Sequence, residues 1–237
     1  MLQGGYQSVL EVRNRNEFRR ELGQFTASMD FDTFSAITVV DHSLGRSDFI
    51  AIDNCPPGFK DALNDPMLGV RDPVMQHCKR QTVPIVWNQR TYVEQGVGEL
   101  WEMQASYGYN NGICLALHLP EGRHFVLGMD RREALPADPG KLTRMVADVQ
   151  LFAVHALDSA LRVLLPPEQQ LDKPHLTPRE LETLRWTMDG KTAWEVGQIL
   201  SITERTTVLH LGNAMRKLAC NNKHQAVLKA LRLGLIR

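Results

Sequence analysis

Asp72-Pro73 and the stretch from Arg205 to Lys223 hold the residue types that could do chemistry in this sequence. A carboxylate just before proline reads as a helix N-cap, with proline in the first turn. Arg205, Thr206, Thr207 and Val208, followed by Arg216, Lys217 and Lys223, combine cations, hydroxyls and an aliphatic side chain. Such a set suits phosphates, base edges and thymine methyls. Catalysis finds little support. Cys55, Cys78, Cys114 and Cys220 form no CxxC pair, so neither a zinc ribbon nor a disulfide framework is expected, and reduced thiols point to a cytoplasmic location. Cys78 follows His77, but adjacent helical residues face different ways and make no nucleophile–base pair. With no glycine-rich phosphate loop, metal-ligand cluster or acid pair, the expectation is a binding protein with no enzymatic activity, cofactor or metal.

These residues sit in a chain of two characters. The 237 residues balance 27 Lys+Arg against 27 Asp+Glu. Residues 175–237, however, hold ten cations and five acids, a net +5, while residues 1–174 carry −5. A basic end on an acidic body suggests a polyanion partner for that end. There is no secretory signal pattern and no apolar run long enough to span a bilayer, so no membrane association is expected.

In the N-terminal part, apolar spacing predicts a helix over 16–29, with Phe18, Leu22 and Phe25 on one face. Residues 33–41 and 48–53 read as antiparallel strands, 56–64 as helix-prone, and 83–87 as a short apolar segment. A helix starts at Asp72-Pro73 and another spans 99–107, closed by Gly108. Residues 113–119 and 124–130 read as a hairpin joined by Pro120-Glu121-Gly122. A long amphipathic helix follows over 141–165. Pro166 and Pro167 then open a polar linker. The reading is an α+β chain: residues 1–165 form an antiparallel sheet with helices on its faces, 166–174 a linker, and 175–237 an all-α domain of four helices.

Capping chemistry writes out that last domain. Thr177-Pro178-Arg179-Glu180 and Thr192-Ala193-Trp194-Glu195 are capping boxes, and Thr203-Glu204 starts a third helix. Helices 193–200 and 204–218, separated only by Ser201-Ile202-Thr203, make a helix-turn-helix, whose second helix enters the major groove. Residues 225–233 form a fourth helix. Leu181, Leu184, Val196, Ile199, Val227 and Ala230 fit the core, and Arg205, Arg216, Lys217 and Lys223 face phosphates. Val208 can touch a thymine methyl but bonds no base edge, and Gly212 has no side chain, so DNA shape should carry part of the readout.

The C-terminal run resembles the DNA-binding domain of LuxR-type quorum-sensing regulators. The resemblance rests on Leu-Thr-x-Arg-Glu at 176–180, Trp186, Gly190-Lys191-Thr192, Glu195, Ile199-Leu200, His210, Lys217-Leu218, Asn222-Lys223 and Gly234-Leu235-Ile236. It extends forward through Asp72-Pro73, Pro84 with Trp87, and Gly108 with Gly112, in the order of that family's autoinducer-binding domain. It implies an α/β/α sandwich that binds an N-acyl-homoserine lactone between sheet and helices, and a homodimer on an inverted-repeat promoter site. It implies that Asp72 accepts the ligand N–H and that Trp87 walls the pocket. Four further matches depart from the family. Phe59 stands where an indole donates to the lactone carbonyl; Leu63 and Cys55 stand where tyrosines occur; Gly128 stands near a small hydroxyl. Each lacks the usual donor. Trp101, with Tyr92, Tyr107 and Met129, is a candidate contact for an acyl tail. The alternative is a LuxR-type regulator that senses another small molecule or none and works partly through mixed dimers. A phosphorylation-driven response regulator is disfavoured, because the early chain lacks the acidic pair of a receiver domain.

Overall fold

The structure is a computed structural model that describes residues 6–41, 47–62, 68–165 and 174–237. Leu63 and residues 166–173 of the expected linker lie outside them. Two compact units emerge, one built on a sheet and one of helices.

In the first unit, α1 (Gln7–Glu11) and α2 (Arg15–Ser28) precede strands β1 (Thr33–Asp41) and β2 (Ser47–Asp53). Four short helices and a strand follow: α3 (Phe59–Ala62), α4 (Leu68–Arg71), α5 (Pro73–Arg80), β3 (Ile85–Trp87) and α6 (Gln89–Val93). Then come α7 (Gly98–Ser106), the hairpin β4 (Asn111–Leu119) and β5 (Arg123–Arg131), and the long α8 (Pro139–Leu164). The described strands form one antiparallel sheet in the order β2–β1–β5–β4–β3.

Strand alternation divides this sheet between two helical layers. Phe34, Ala36, Phe125 and Leu127 face α1, α2 and α8, where Phe25 and Phe152 stack with ring centroids 3.8 Å apart. Ser35 and Ile37 face the opposite way, toward the layer that carries Asp72. The expected strands, hairpin and long helix are all present. The 83–87 segment pairs as an edge strand, Trp87 lying opposite Gly112. Three short helices, α1, α4 and α6, carry no strong sequence signal, because pieces of four or five residues form only when tertiary packing holds them.

Thr38 points into the first core and is fully buried, yet its Oγ1 has no hydrogen-bond partner among the described residues. An unpaired buried hydroxyl costs free energy that an isosteric methyl does not. Thr38→Val is therefore expected to stabilise the unit by about 1 kcal/mol, raising its melting temperature by about 2–4 °C. Calorimetry showing a lower melting temperature would mean that the hydroxyl has a partner.

The second unit contains α9 (Pro178–Met188), α10 (Ala193–Leu200), α11 (Glu204–Lys217) and α12 (Lys223–Arg232). Both capping boxes close reciprocally: Thr177 N–H and Thr192 N–H each donate at 2.8 Å to the glutamate three residues on. Leu184, Val196 and Ala230 are fully buried, and Leu181 and Val227 pack on this core. Ile199 is a correction, since it is 44% exposed. The inward face of α10 is carried by Val196 and Gly197. A Cβ at Gly197 would lie 2.9 Å from the Ile202 carbonyl, and this close approach of turn to helix leaves Ile199 facing solvent. Ser201 makes the turn with φ of 55°.

Candidate functional site

Between the sheet and helices α3–α7 lies a cavity of about 300 Å³, a size suited to a small molecule. The sheet wall is Ser35, Ile37, Trp87, Cys114, Val126, Gly128 and Asp130. The helical wall includes Phe59, Leu68, Asp72, Val74, Met75, Tyr92, Leu100, Met103 and Gln104, with Tyr109 beside them. Most of these side chains are apolar, so the few polar groups decide what binds.

Asp72 is both cap and cavity wall. Its Oδ1 accepts from the backbone N–H groups of Val74 and Met75 at 2.8 and 3.0 Å, fixing the start of α5. Its Oδ2 accepts from the Tyr92 hydroxyl and from Gln104 Nε2, both at 3.3 Å. Those two bonds are long, which leaves the oxygen able to take a shorter one. Burial, then the charge of Asp72, raises the Tyr92 phenol above its ordinary value, so it remains a donor. Asp130 is buried, and burial followed by the charge of Asp72 pushes its carboxyl well above the usual carboxylate range. No side-chain hydrogen bond of Asp130 occurs among the described residues.

Of the residues singled out from sequence, Asp72, Trp87, Phe59, Gly128 and Tyr92 converge on this cavity. Phe59 stacks on Tyr109 with centroids 4.1 Å apart and planes 14° apart. Cys55 does not join them; it borders an open depression beside Arg15, Arg19 and Lys60. Trp101 is also apart from the walls, its indole N–H donating to the Asn110 carbonyl at 2.9 Å. Tyr107 packs against Phe59 from outside the walls. Met129 is buried in the core on the other face of the sheet, as its odd register relative to Gly128 requires. Sequence reading missed Ser35, Gln104, Tyr109 and Asp130. Asp130 had a signal, because it lies two residues beyond Gly128 on one strand and so shares its face. Ser35 is the strand partner of Gly128, placing a hydroxyl across the ladder from that bare position.

On α11, Arg205, Val208, Leu209, Gly212 and Arg216 are exposed and recur at three- and four-residue steps, forming one solvent stripe. Val208 and Leu209 are 54% and 61% exposed. Lys223, at the first turn of α12, is exposed as well. Thr206 is spent locally, its Oγ1 lying 2.8 Å from Thr203 Oγ1. Two residues expected to face DNA turn inward. Thr207 is 1% exposed and donates from Oγ1 to the Thr203 carbonyl; it shares the buried phase of Leu211, Ala214 and Leu218. Lys217 Nζ lies 2.8 Å from Oε2 of buried Glu180, an opposite charge that holds it against α9 rather than over a phosphate.

A sheet-and-helix unit with an apolar cavity, joined in one chain to a helix-turn-helix with an exposed reading face, defines a small-molecule-binding regulator of the DNA-binding class. The family comparisons specify it. Residues 14–160 match the model of the autoinducer binding domain, and residues 174–230 that of the bacterial regulatory proteins of the luxR family. The chain belongs to the LuxR family of quorum-sensing transcriptional regulators. It is 28% identical over 220 residues to the transcriptional activator AhyR of Aeromonas hydrophila, covering 91% of this chain and 84% of that one. It is 32% identical over 214 residues to the quorum sensing-dependent regulator RpaR of Rhodopseudomonas palustris, covering 89% and 85%. Its fold matches the crystal structure of Escherichia coli SdiA with a TM-score of 0.77 at 24% identity, over 98% of this chain and 95% of that one. No helix among the described residues is long and apolar enough to cross a membrane.

Proposed function

We propose that this regulator senses an N-acyl-homoserine lactone and binds an inverted-repeat promoter element as a homodimer. Residues 1–165 sense and dimerise, 166–174 link, and 175–237 contact DNA. The observation that carries the ligand is Asp72, an acceptor with two loose bonds set in an otherwise apolar cavity. An amide N–H on an apolar chain matches that wall, since an unpaired buried amide would cost roughly 1–3 kcal/mol. Phe59, Trp87 and Gly128 shape the rest of the head-group end. Exposed Leu151 and Val154 on α8 offer an apolar strip for a second copy, and two-fold dimers read half-sites about one helical turn apart. Arg205, Val208, Arg216 and Lys223 meet the duplex.

The test is expression with and without a panel of acyl-homoserine lactones, followed by mass spectrometry of what co-purifies. One acyl length is expected to raise soluble yield, because a ligand that binds the native state stabilises it by mass action. If none co-purifies and none changes yield, the lactone assignment is wrong. Phe59 favours a second reading, a ligand without a lactone carbonyl, because its ring donates no hydrogen bond. An unrelated co-purifying molecule would establish that reading. The full chain with its ligand should bind DNA with an affinity that falls steeply as salt rises, and light scattering should report a dimer. A monomer on DNA contradicts the symmetric reading.

A further inference from the structure

Trp87, Gly112 and Asp130 stand in one row across β3, β4 and β5, each opposite the next. Gly112 leaves the middle of that row without a side chain, and its neighbours lean into the gap. A Cβ at Gly112 would lie 2.5 Å from Asp130 Oδ1 and 2.6 Å from Trp87 Nε1. The indole N–H and the carboxyl therefore meet over one point on the sheet wall of the cavity. Both side chains are more than nine-tenths buried, and neither makes a side-chain hydrogen bond among the described residues. Two polar groups without a side-chain partner among the described residues that converge on a cavity mark a place for a ligand atom.

The chemistry of that atom follows from the surroundings. Among the described residues, no cation lines the cavity. Burial and the charge of Asp72 push the Asp130 carboxyl well above the usual carboxylate range, toward the form that presents an O–H beside the N–H of Trp87. Two donors at one point call for an acceptor oxygen. Asp72 sits on the opposite, helical wall and supplies the acceptor there. A planar trans amide points its N–H and C=O in opposite directions, which matches an acceptor on one wall and donors on the other.

We propose that Asp130 and Trp87 together recognise the carbonyl oxygen of the ligand's amide, making Asp130 a specificity-determining residue of this pocket. The inference rests on the lactone reading above and deepens it. The ligand class is a neutral amphiphile with adjacent carbonyl and N–H groups; Asp130 serves the amide carbonyl and does not replace the donor missing at Phe59, which concerns the lactone carbonyl.

The test titrates N-octanoyl-homoserine lactone into the purified full chain and into Asp130→Asn, Asp130→Leu and Trp87→Phe. Asparagine keeps a donor of the same shape, so Asp130→Asn is expected to bind within about 3-fold of the parent, whereas Asp130→Leu loses about 10-fold and Trp87→Phe about 3- to 10-fold. The infrared band of a ¹³C-labelled amide carbonyl in the bound lactone should shift to higher frequency in Asp130→Leu and stay in place in Asp130→Asn. That signature reports the bond itself, and Asp130→Asn and Trp87→Phe keep the test decisive if the leucine variant misfolds. Unchanged affinity and an unmoved band in Asp130→Leu overturn the proposal. An Asp130→Asn loss as large as that of leucine also overturns it, and indicates an ionised carboxylate that accepts from a ligand N–H. If the parent protein binds none of the acyl-homoserine lactones, the lactone reading itself falls, an outcome visible before any variant is made.

Discussion

Asp72→Asn is expected to weaken binding of an N-acyl-homoserine lactone by about 10- to 100-fold while leaving α5 in place. The two roles of this side chain separate at its two oxygens. Oδ1 caps the helix through Val74 and Met75, and asparagine is as good an N-cap as aspartate. The cap therefore survives, and only the favourable charge at the helix N-terminus is lost, worth about 0.3–1 kcal/mol. Oδ2 faces Tyr92 and Gln104, and there the substitution places an NH₂ group among donors. The ligand N–H then meets no charged acceptor. A hydrogen bond to a charged group contributes about 1.5–3 kcal/mol, which corresponds to the stated range. Calorimetric titration with the lactone and a melting curve of the unliganded protein read the two effects separately. Lactone affinity unchanged in Asp72→Asn would reduce Asp72 to a helix cap, and a response lost together with the fold would leave the cap as its main role. Asp72→Ala, which removes both oxygens, should lose the same affinity and a further ~1 kcal/mol of stability.

What the sequence disclosed, and what it concealed, follows the range of the interactions involved. The boxes at Thr177/Glu180 and Thr192/Glu195 were legible because each closes within three residues. The hairpin and α8 were legible because a turn or a long apolar stripe specifies them locally. The cavity is different. Asp72 and Trp87 could be singled out only through the family pattern, and Gln104, Tyr109 and Ser35 reach the same space through pairings set by the whole sheet. Ser35 is opposite Gly128 only because β1 lies beside β5, two strands nearly a hundred residues apart in sequence. Asp130 was within reach of simple alternation from Gly128, yet an acid at the end of a strand reads as a surface residue until the strand is seen to be flanked on both sides. On α11 the pattern was available: Thr207, Leu211, Ala214 and Leu218 recur at helical spacing and give the buried phase. Grouping Lys217 with its neighbour Arg216 as a phosphate contact obscured it there.

Arg216 and Lys217 are neighbours with opposite expected phenotypes, and separating them tests the DNA-binding assignment. Arg216 is exposed on the stripe with Arg205 and Val208, making one long 3.4 Å contact to Asn213. Arg216→Ala should change stability by no more than about 0.5 kcal/mol. It should weaken DNA binding on every sequence and lower the slope of log affinity against log salt by about 1 per protomer. Lys217 instead pairs with Glu180, whose side chain is 4% exposed against 30% for the lysine. Burial pushes the Glu180 carboxyl up, but the Lys217 ammonium and the Thr177 N–H outweigh it, so its pKa lies below the ordinary glutamate value. Lys217→Ala strands that carboxylate with the cap N–H alone. Breaking a buried pair costs about 3–5 kcal/mol, and partial exposure of the lysine reduces this to about 1–3 kcal/mol. Because the folded-state pKa is depressed, the contribution is present above the unfolded value of about 4.3 and is lost as pH falls through the lower folded value. Amide exchange in α9 and α11 of the full chain should accelerate in Lys217→Ala near neutral pH, and the difference should shrink below pH 4. Adding Glu180→Gln should recover part of the loss, since it removes the stranded charge. If Lys217→Ala keeps its exchange protection but loses DNA affinity and salt slope, the lysine leaves Glu180 for a phosphate in the complex, and the stripe of α11 must be drawn one residue wider.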